Sequence, residues 1–203
     1  MKELYMFVHT KQGSRPGTFL KFTCLLFILG MMSFNATAQI YLNQFTGASA
    51  CPTPGNIPAL AANATGTPLS RNTVICTNAL NAFNSTTLNN TGSIVNTSYI
   101  EFSVSANAGY GLDLTSLSFF RQGSNTAPNR LEVRYSTDGF ITSTTWGAAT
   151  NTPTSGSVIT WDFADFSVNS PNTLSFRFYP YGTQRCDLTA TPAASGGTFR
   201  LDD

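Results

Sequence analysis

The sequence predicts an all-β domain, a two-sheet antiparallel sandwich of about eight or nine strands. Three observations carry this. Apolar and polar residues alternate at period two in a series of short segments, the mark of half-buried strands. Ser, Thr and Asn supply 59 of the 165 residues from Gln39 onward, and their side chains compete with the backbone for hydrogen bonds, which disfavours helix. Between the alternating segments lie Gly, Pro and Asn breaks, and no stretch sustains a 3.6-residue apolar period. Less than about 10% helix is expected, against a base rate near one third.

In chain order, Ile40–Phe45 and Arg71–Cys76 read as two weaker strands. The region from Ala48 to Ser98 is poor in aromatics and rich in Pro, Asn and Thr, and reads as long loops. Tyr99–Ala106 puts Ile100, Phe102, Val104 and Ala106 on one face and Tyr99, Glu101, Ser103 and Ser105 on the other. The same alternation sets Leu117 and Phe119, then Leu131, Val133 and Tyr135, then Ile159, Trp161 and Phe163, on apolar faces. Leu174, Phe176 and Phe178, and finally Phe199 and Leu201, complete the series. Turn chemistry separates them at Asn107-Ala108-Gly109, Gly123-Ser124-Asn125, Asp138-Gly139, Asn169-Ser170-Pro171 and Ser195-Gly196-Gly197. Many short, evenly spaced strands without an internal repeat suit a sandwich of jelly-roll or immunoglobulin-like topology.

The first 38 residues read as a secretory signal peptide. Lys11, Arg15 and Lys21 precede the apolar run Phe22–Met32, and Ala36-Thr37-Ala38 supplies a small-x-small cleavage pattern. The run is shorter than the ~20 residues a bilayer span needs, so no membrane insertion is expected after cleavage. Residues 39–203 form one domain, placed in a secreted or cell-surface compartment.

That domain holds seven Arg, nine acids, no Lys and no His, a net formal charge of −2. The balance argues against nucleic acid as a partner. The missing imidazole removes Ser-His-Asp catalysis and His-ligated zinc, and the missing Lys removes Schiff-base chemistry. Among the acids, Asp162 and Asp165 lie three apart and flank an expected turn, while Asp202 and Asp203 are neighbours pointing to opposite faces of one strand. Neither pair suits a glycosidase cleft, which needs two carboxyls about 5–10 Å apart across a sugar. A non-enzymatic role is expected. Ser136-Thr137-Asp138-Gly139-Phe140 is near a sialidase Asp-box, but its glycine comes one place early and Ser143 stands where the Trp belongs, so it reads as an Asp-Gly hairpin turn.

Three cysteines remain in the domain, Cys51, Cys76 and Cys186. In an oxidising compartment two should pair. Cys51–Cys76 would staple the loop-rich region, and Cys76–Cys186 is the alternative. Tyr179 and Tyr181 fall on the polar phase of their strand beside Arg177, where a sugar ring could stack, so these three are the candidate ligand-binding residues.

The run YIEFSVSANAGYGLDLTSLSFFRQGSNTAPNRLEVRYSTDGF from Tyr99 and the closing GGTFRLDD from Gly196 resemble jelly-roll, carbohydrate-binding-like modules of secreted bacterial proteins. Such modules often precede an anchor or sorting signal. The resemblance implies an extracellular glycan as partner and an adhesive or glycan-binding role, with a structural spacer or a carboxylate-dependent hydrolase as alternatives. It also implies that the chain stops inside the module's final strand. No cofactor is required, but related modules clamp first and last strands with Ca²⁺. Here Asp202 and Asn43 would donate oxygens to such an ion, if the opening Tyr41–Phe45 segment lay beside the last strand.

Overall fold

The computed structural model describes residues 6–8, 38–45, 47, 51–52 and 54–202. Every element among them is a strand, and none of the described residues is helical. The early strands are short: β1 (Met6–Val8), β2 (Ala38–Gln39), β3 (Tyr41–Leu42), β4 (Ala59–Leu60), β5 (Ala64–Gly66), β6 (Ser70–Arg71), β7 (Ile75–Cys76) and β8 (Phe83–Thr86). The framework strands follow as β9 (Ile100–Ala106), β10 (Gly111–Gly123), β11 (Pro128–Ser136), β12 (Thr144–Asn151), β13 (Ser157–Asn169), β14 (Thr173–Arg185) and β15 (Phe199–Asp202).

They form two large antiparallel sheets and a two-stranded ribbon, β3–β4. In the first sheet β10 is central. Its one edge carries β13, and the other carries β15, with β8 and β7 beyond, and β1, with β2 beyond. The second sheet runs β12-β11-β14-β9, with β5 and β6 both on β9. Strict alternation explains the pairing registers. Phe176 lies opposite Phe102 and Tyr135 opposite Phe176, so one face of the second sheet becomes a continuous aromatic surface.

That surface meets the first sheet face to face. Phe119 of β10 stands edge-on to Phe178 of β14 at 5.0 Å between ring centroids. Trp161 of β13 lies 5.6 Å from Trp146 of β12, and Phe166 of β13 stacks on Tyr135 of β11 at 5.0 Å. Ring pairs between the sheets at such spacings are those of a packed sandwich core. Ile100, Phe102, Val104, Leu117, Phe119, Leu131, Val133, Leu174, Phe176, Phe178, Phe199 and Leu201, all assigned to apolar faces from sequence, are buried. The all-β antiparallel sandwich expected from the alternation is what the chain forms.

Boundaries differ in instructive places. The strand expected over Ile40–Phe45 is two-residue β3, and that over Arg71–Cys76 is split into β6 and β7. β12 was not expected, and it delivers a buried Trp146 to the core. Asp162 and Asp165 do not flank a turn. Both lie within β13, exposed, where the ladder to β10 breaks register between Asp162 and Phe166. Apart from Met6–Val8 and Ala38, the leader expected over residues 1–38 lies outside the described residues. Met6–Val8 pairs with Ser116–Leu117 and with Ala38–Gln39. No helix among the described residues is long and apolar enough to cross a membrane.

Cys51 and Cys76 are joined, with Cα atoms 5.8 Å apart, and close a loop of 25 residues. On the loop-entropy account such a closure contributes about 3–4 kcal/mol. Arg71 reinforces the same region. Its guanidinium donates to Pro52 O (2.7 Å), Asn84 O (2.9 Å) and Ser85 Oγ (2.8 Å), and sits 3.5 Å over the Phe83 ring. Burial lowers its pKa to about 10, still charged at neutral pH.

Candidate functional site

The strand ends at one pole of the sandwich converge. β10, β12 and β14 finish there, and β11, β13 and β15 begin there. The segments that connect them leave two polar clefts. The larger, about 370 Å³, is lined by Gln122, Gly123, Ser124, Asn125, Thr154, Thr198 and Arg200. The smaller, about 270 Å³, is lined by Gly92, Asn129, Arg130, Asn151, Gly182, Thr183 and Gln184.

Backbone and side-chain bonds hold both clefts in shape. Gln122 Nε2 donates to Thr154 O (2.7 Å), the Ser124 amide to Thr198 O (2.8 Å), and the Thr198 amide to Ser124 Oγ (2.9 Å). In the smaller cleft Asn129 Nδ2 donates to Gln184 Oε1 at 3.2 Å, and the Arg130 guanidinium lies 5.8 Å from the Tyr181 ring centre. Arg121 reaches from β10 to Thr150 of β12 and so ties the two sheets together beneath this pole. The linings are rich in amides and hydroxyls, and no described lining residue is acidic. Such a surface can exchange hydrogen bonds with a polyhydroxylated ligand, but offers no carboxylate pair for acid–base hydrolysis.

The residues singled out from sequence have other surroundings. Tyr179 and Tyr181 do not stand free on an outer face: they retain only 2% and 6% exposure. Tyr99 meets Tyr179 edge-on, Arg134 lies 5.9 Å over it, and Asn89 pairs with Tyr181 across a parallel bridge. Arg177 is engaged inside the protein, bonded to Glu101 Oε2 at 2.5 Å and held between the rings of Tyr99 (4.0 Å) and Phe140 (3.8 Å). None of the three lines a cleft, and Tyr181 comes nearest, its ring centre 5.8 Å from the Arg130 guanidinium. The sequence reading missed Asn129, Arg130, Asn151 and Gln184, which no local pattern distinguishes from other loop-end polar residues.

Asn43 and Asp202 are not strand neighbours. Asn43 is buried, and its Nδ2 donates to Asn56 O (2.8 Å) and the Tyr41 hydroxyl (3.2 Å). Asp202 lies opposite Phe120 on β15, whose partners are β10 and β8, whereas Tyr41–Leu42 pairs with β4. The opening segment is therefore not a strand partner of β15; Phe45 packs instead on Phe83 of β8, which lies opposite Leu201. Arg200 also shares Asp202's face of β15, and a guanidinium there works against a bound cation. No group of three or more His, Cys, Asp or Glu that could hold a metal occurs among the described residues.

The Asp138 loop closes the opposite pole. Ser136 Oγ donates to Asp138 Oδ1 (2.7 Å), Thr142 Oγ1 to Oδ2 (2.6 Å), and the Thr142 amide to both oxygens at 3.0 Å. Gly139 and Phe140 then take positive φ of 72° and 66°, which aims Phe140 at Arg177. The hairpin expected at Asp138-Gly139 is present, but its loop runs from Thr137 to Ser143. The hydrogen bonds from Thr142, and then that from Ser136, hold the Asp138 carboxyl at about pKa 2, against an ordinary 3.8. A depressed carboxylate stabilises the fold above its unfolded pKa, and that contribution is lost as pH falls from about 4 through about 2. The Thr142 amide resonance should therefore titrate with a midpoint near 2 and lose that transition in Asp138→Asn. A midpoint at 3.8 would mean that these bonds do not form.

No protein-family model matches the chain, and no curated protein matches it. Among solved structures the chain is similar to one from Clostridium perfringens described as CpGH89CBM32-5 in complex with GalNAc-beta-1,3-galactose. Identity is 11%, the TM-score is 0.31, and the match covers 70% of this chain and 96% of that one. The sandwich assignment rests on the strand pairing and core of the chain itself.

Proposed function

We propose that the chain is a secreted, non-catalytic binding module whose ligand is a glycan, taken at the polar pole of the sandwich. The observation that supports this most is the pair of clefts lined by side-chain amides and hydroxyls, with no acidic residue among the described lining. Sugars present closely spaced hydroxyls that both donate and accept, and Asn and Gln side chains answer both roles from one group. The apolar leader and the Cys51–Cys76 bridge fit an exported protein. The acids that a hydrolase would need, Asp162 and Asp165, occupy exposed positions of β13 and line neither cleft.

A glycan-array screen and a hydrolysis assay on the same purified protein test the reading. At least one glycan should be retained without being turned over. Asn151→Ala should weaken that binding about 5- to 10-fold, the worth of one or two hydrogen bonds, without moving the unfolding midpoint, since Asn151 is exposed. Turnover that dies in Asp162→Asn would replace the reading with a hydrolase. Silence on the whole array would leave a structural spacer.

A further inference from the structure

Resting on that reading, we propose that the clefts select acidic saccharides, with Arg130 and Arg200 receiving a carboxylate or sulfate carried on the sugar. Five of the domain's seven guanidiniums are engaged within the fold. Arg134, Arg177 and Arg185 each pair with a carboxylate, Glu132, Glu101 and Asp187, at 2.7, 2.5 and 2.8 Å. Arg71 is enclosed by two carbonyls, a hydroxyl and a ring, and Arg121 is buried against Thr150. Arg130 and Arg200 differ. Neither makes an ion pair among the described residues, and each lines one of the two clefts at the same pole.

Their remaining contacts position them without neutralising them. Arg130 is exposed and lies over the Tyr181 ring, which orients the planar group but takes none of its N–H donors. Arg200 makes one long bond, Nη1 to Gln122 Oε1 at 3.4 Å, and keeps the rest of its fork for a ligand. Three acids stand nearby, of which Glu132 shares Arg130's face of β11 and is paired with Arg134. Asp187 is occupied by Arg185 and by Thr189, and Asp202 shares Arg200's face of β15 but lines neither cleft. A chain of net charge −2 from Gln39 onward thus places in both polar depressions of one pole a guanidinium that makes no ion pair among the described residues. A guanidinium binds carboxylate or sulfate oxygens through paired N–H donors, and a neutral sugar makes no comparable demand on it.

Calorimetric titration of the purified chain with three probes tests this: an oligogalacturonate, a sulfated heparin-type oligosaccharide, and a neutral galacto-oligosaccharide. At least one acidic probe should bind about tenfold or more tightly than the neutral one, and its affinity should fall as salt rises from about 0.05 to 0.5 M. Arg130→Gln or Arg200→Gln should cost that binding about tenfold, while Arg134→Gln, with its guanidinium outside the clefts, should not. Preference for the oligogalacturonate assigns the carboxylate as the recognised group, and preference for the heparin-type probe assigns the sulfate. If the neutral probe binds as tightly as the acidic ones, or if both arginine variants bind like the parent, the inference fails while the glycan reading stands. If no saccharide on the array or in the titration binds, the glycan reading itself fails.

Discussion

Gly197→Ala should destabilise the domain by about 3 kcal/mol or more, since the neighbouring atoms are backbone and cannot swing aside. A Cβ built on Gly197 meets the Ala127 Cα, and would lie 2.5 Å from the Ala127 nitrogen and 2.9 Å from the Thr126 carbonyl carbon. The approach is fixed from several directions. Ala194 donates its amide to Thr126 O (2.9 Å), Gly197 donates to Ala194 O (3.0 Å), and Thr86 Oγ1 donates to Gly197 O (3.1 Å). For a domain of this size the loss corresponds to a fall of about 6–12 °C in unfolding midpoint. Gly196→Ala is the matched control. A Cβ there meets nothing within 4 Å, so its stability should stay within about 0.5 kcal/mol of the parent. Equal midpoints for the two variants would show that the Ala127–Gly197 contact is not made in solution. The same contact seats the start of β15, so Gly197→Ala should also loosen the Arg200 cleft.

Phe102→Ala should cost about 3–5 kcal/mol, the range for removing a fully buried aromatic ring. Phe102 has no solvent exposure, and its ring stacks on Tyr41 (4.3 Å), Phe176 (5.1 Å) and Phe178 (6.1 Å). Tyr41 belongs to the β3–β4 ribbon and donates its hydroxyl to Thr67 O at 2.9 Å, so loss of the ring should also release the ribbon from the second sheet. Chemical unfolding measures the first effect. Hydrogen exchange at the Leu42 and Ala61 amides, early in the unfolding series, measures the second. A cost under about 1 kcal/mol would mean that the aromatic surface is not a shared core.

The framework strands were legible because their two faces meet different media, and alternation records that difference residue by residue. β12 was not legible. Thr144-Thr145-Trp146-Gly147-Ala148-Ala149-Thr150-Asn151 carries one large apolar side chain, and nothing local marks it as a partner of Trp161 and Phe176. Tyr179 and Tyr181 were misjudged for a related reason. Their phase is polar, but segments more than 40 residues away in sequence cover that face, with Arg134, Tyr99 and Asn89 supplying the cover. Period two reports the side on which a residue points, not what later folds over it. The clefts were invisible for the same cause, since Asn129 and Gln184 meet across 55 residues of chain. The Cys51–Cys76 pairing needed only proximity along the chain and a loop-rich segment to staple.

Cys186 is the free cysteine among the described residues. Its Sγ donates to Pro128 O at 3.3 Å, and its sulfur fills the space where a Cβ on Gly123 would stand. Burial, and then the charge of Asp187, push its thiol up to about 11. At pH 7 only about one molecule in ten thousand then carries the thiolate, the species that attacks a disulfide. The folded domain is therefore chemically silent toward its own Cys51–Cys76 bridge. Scrambling and alkylation at this position become clocks for global opening, and their rates count how often the chain visits the unfolded state.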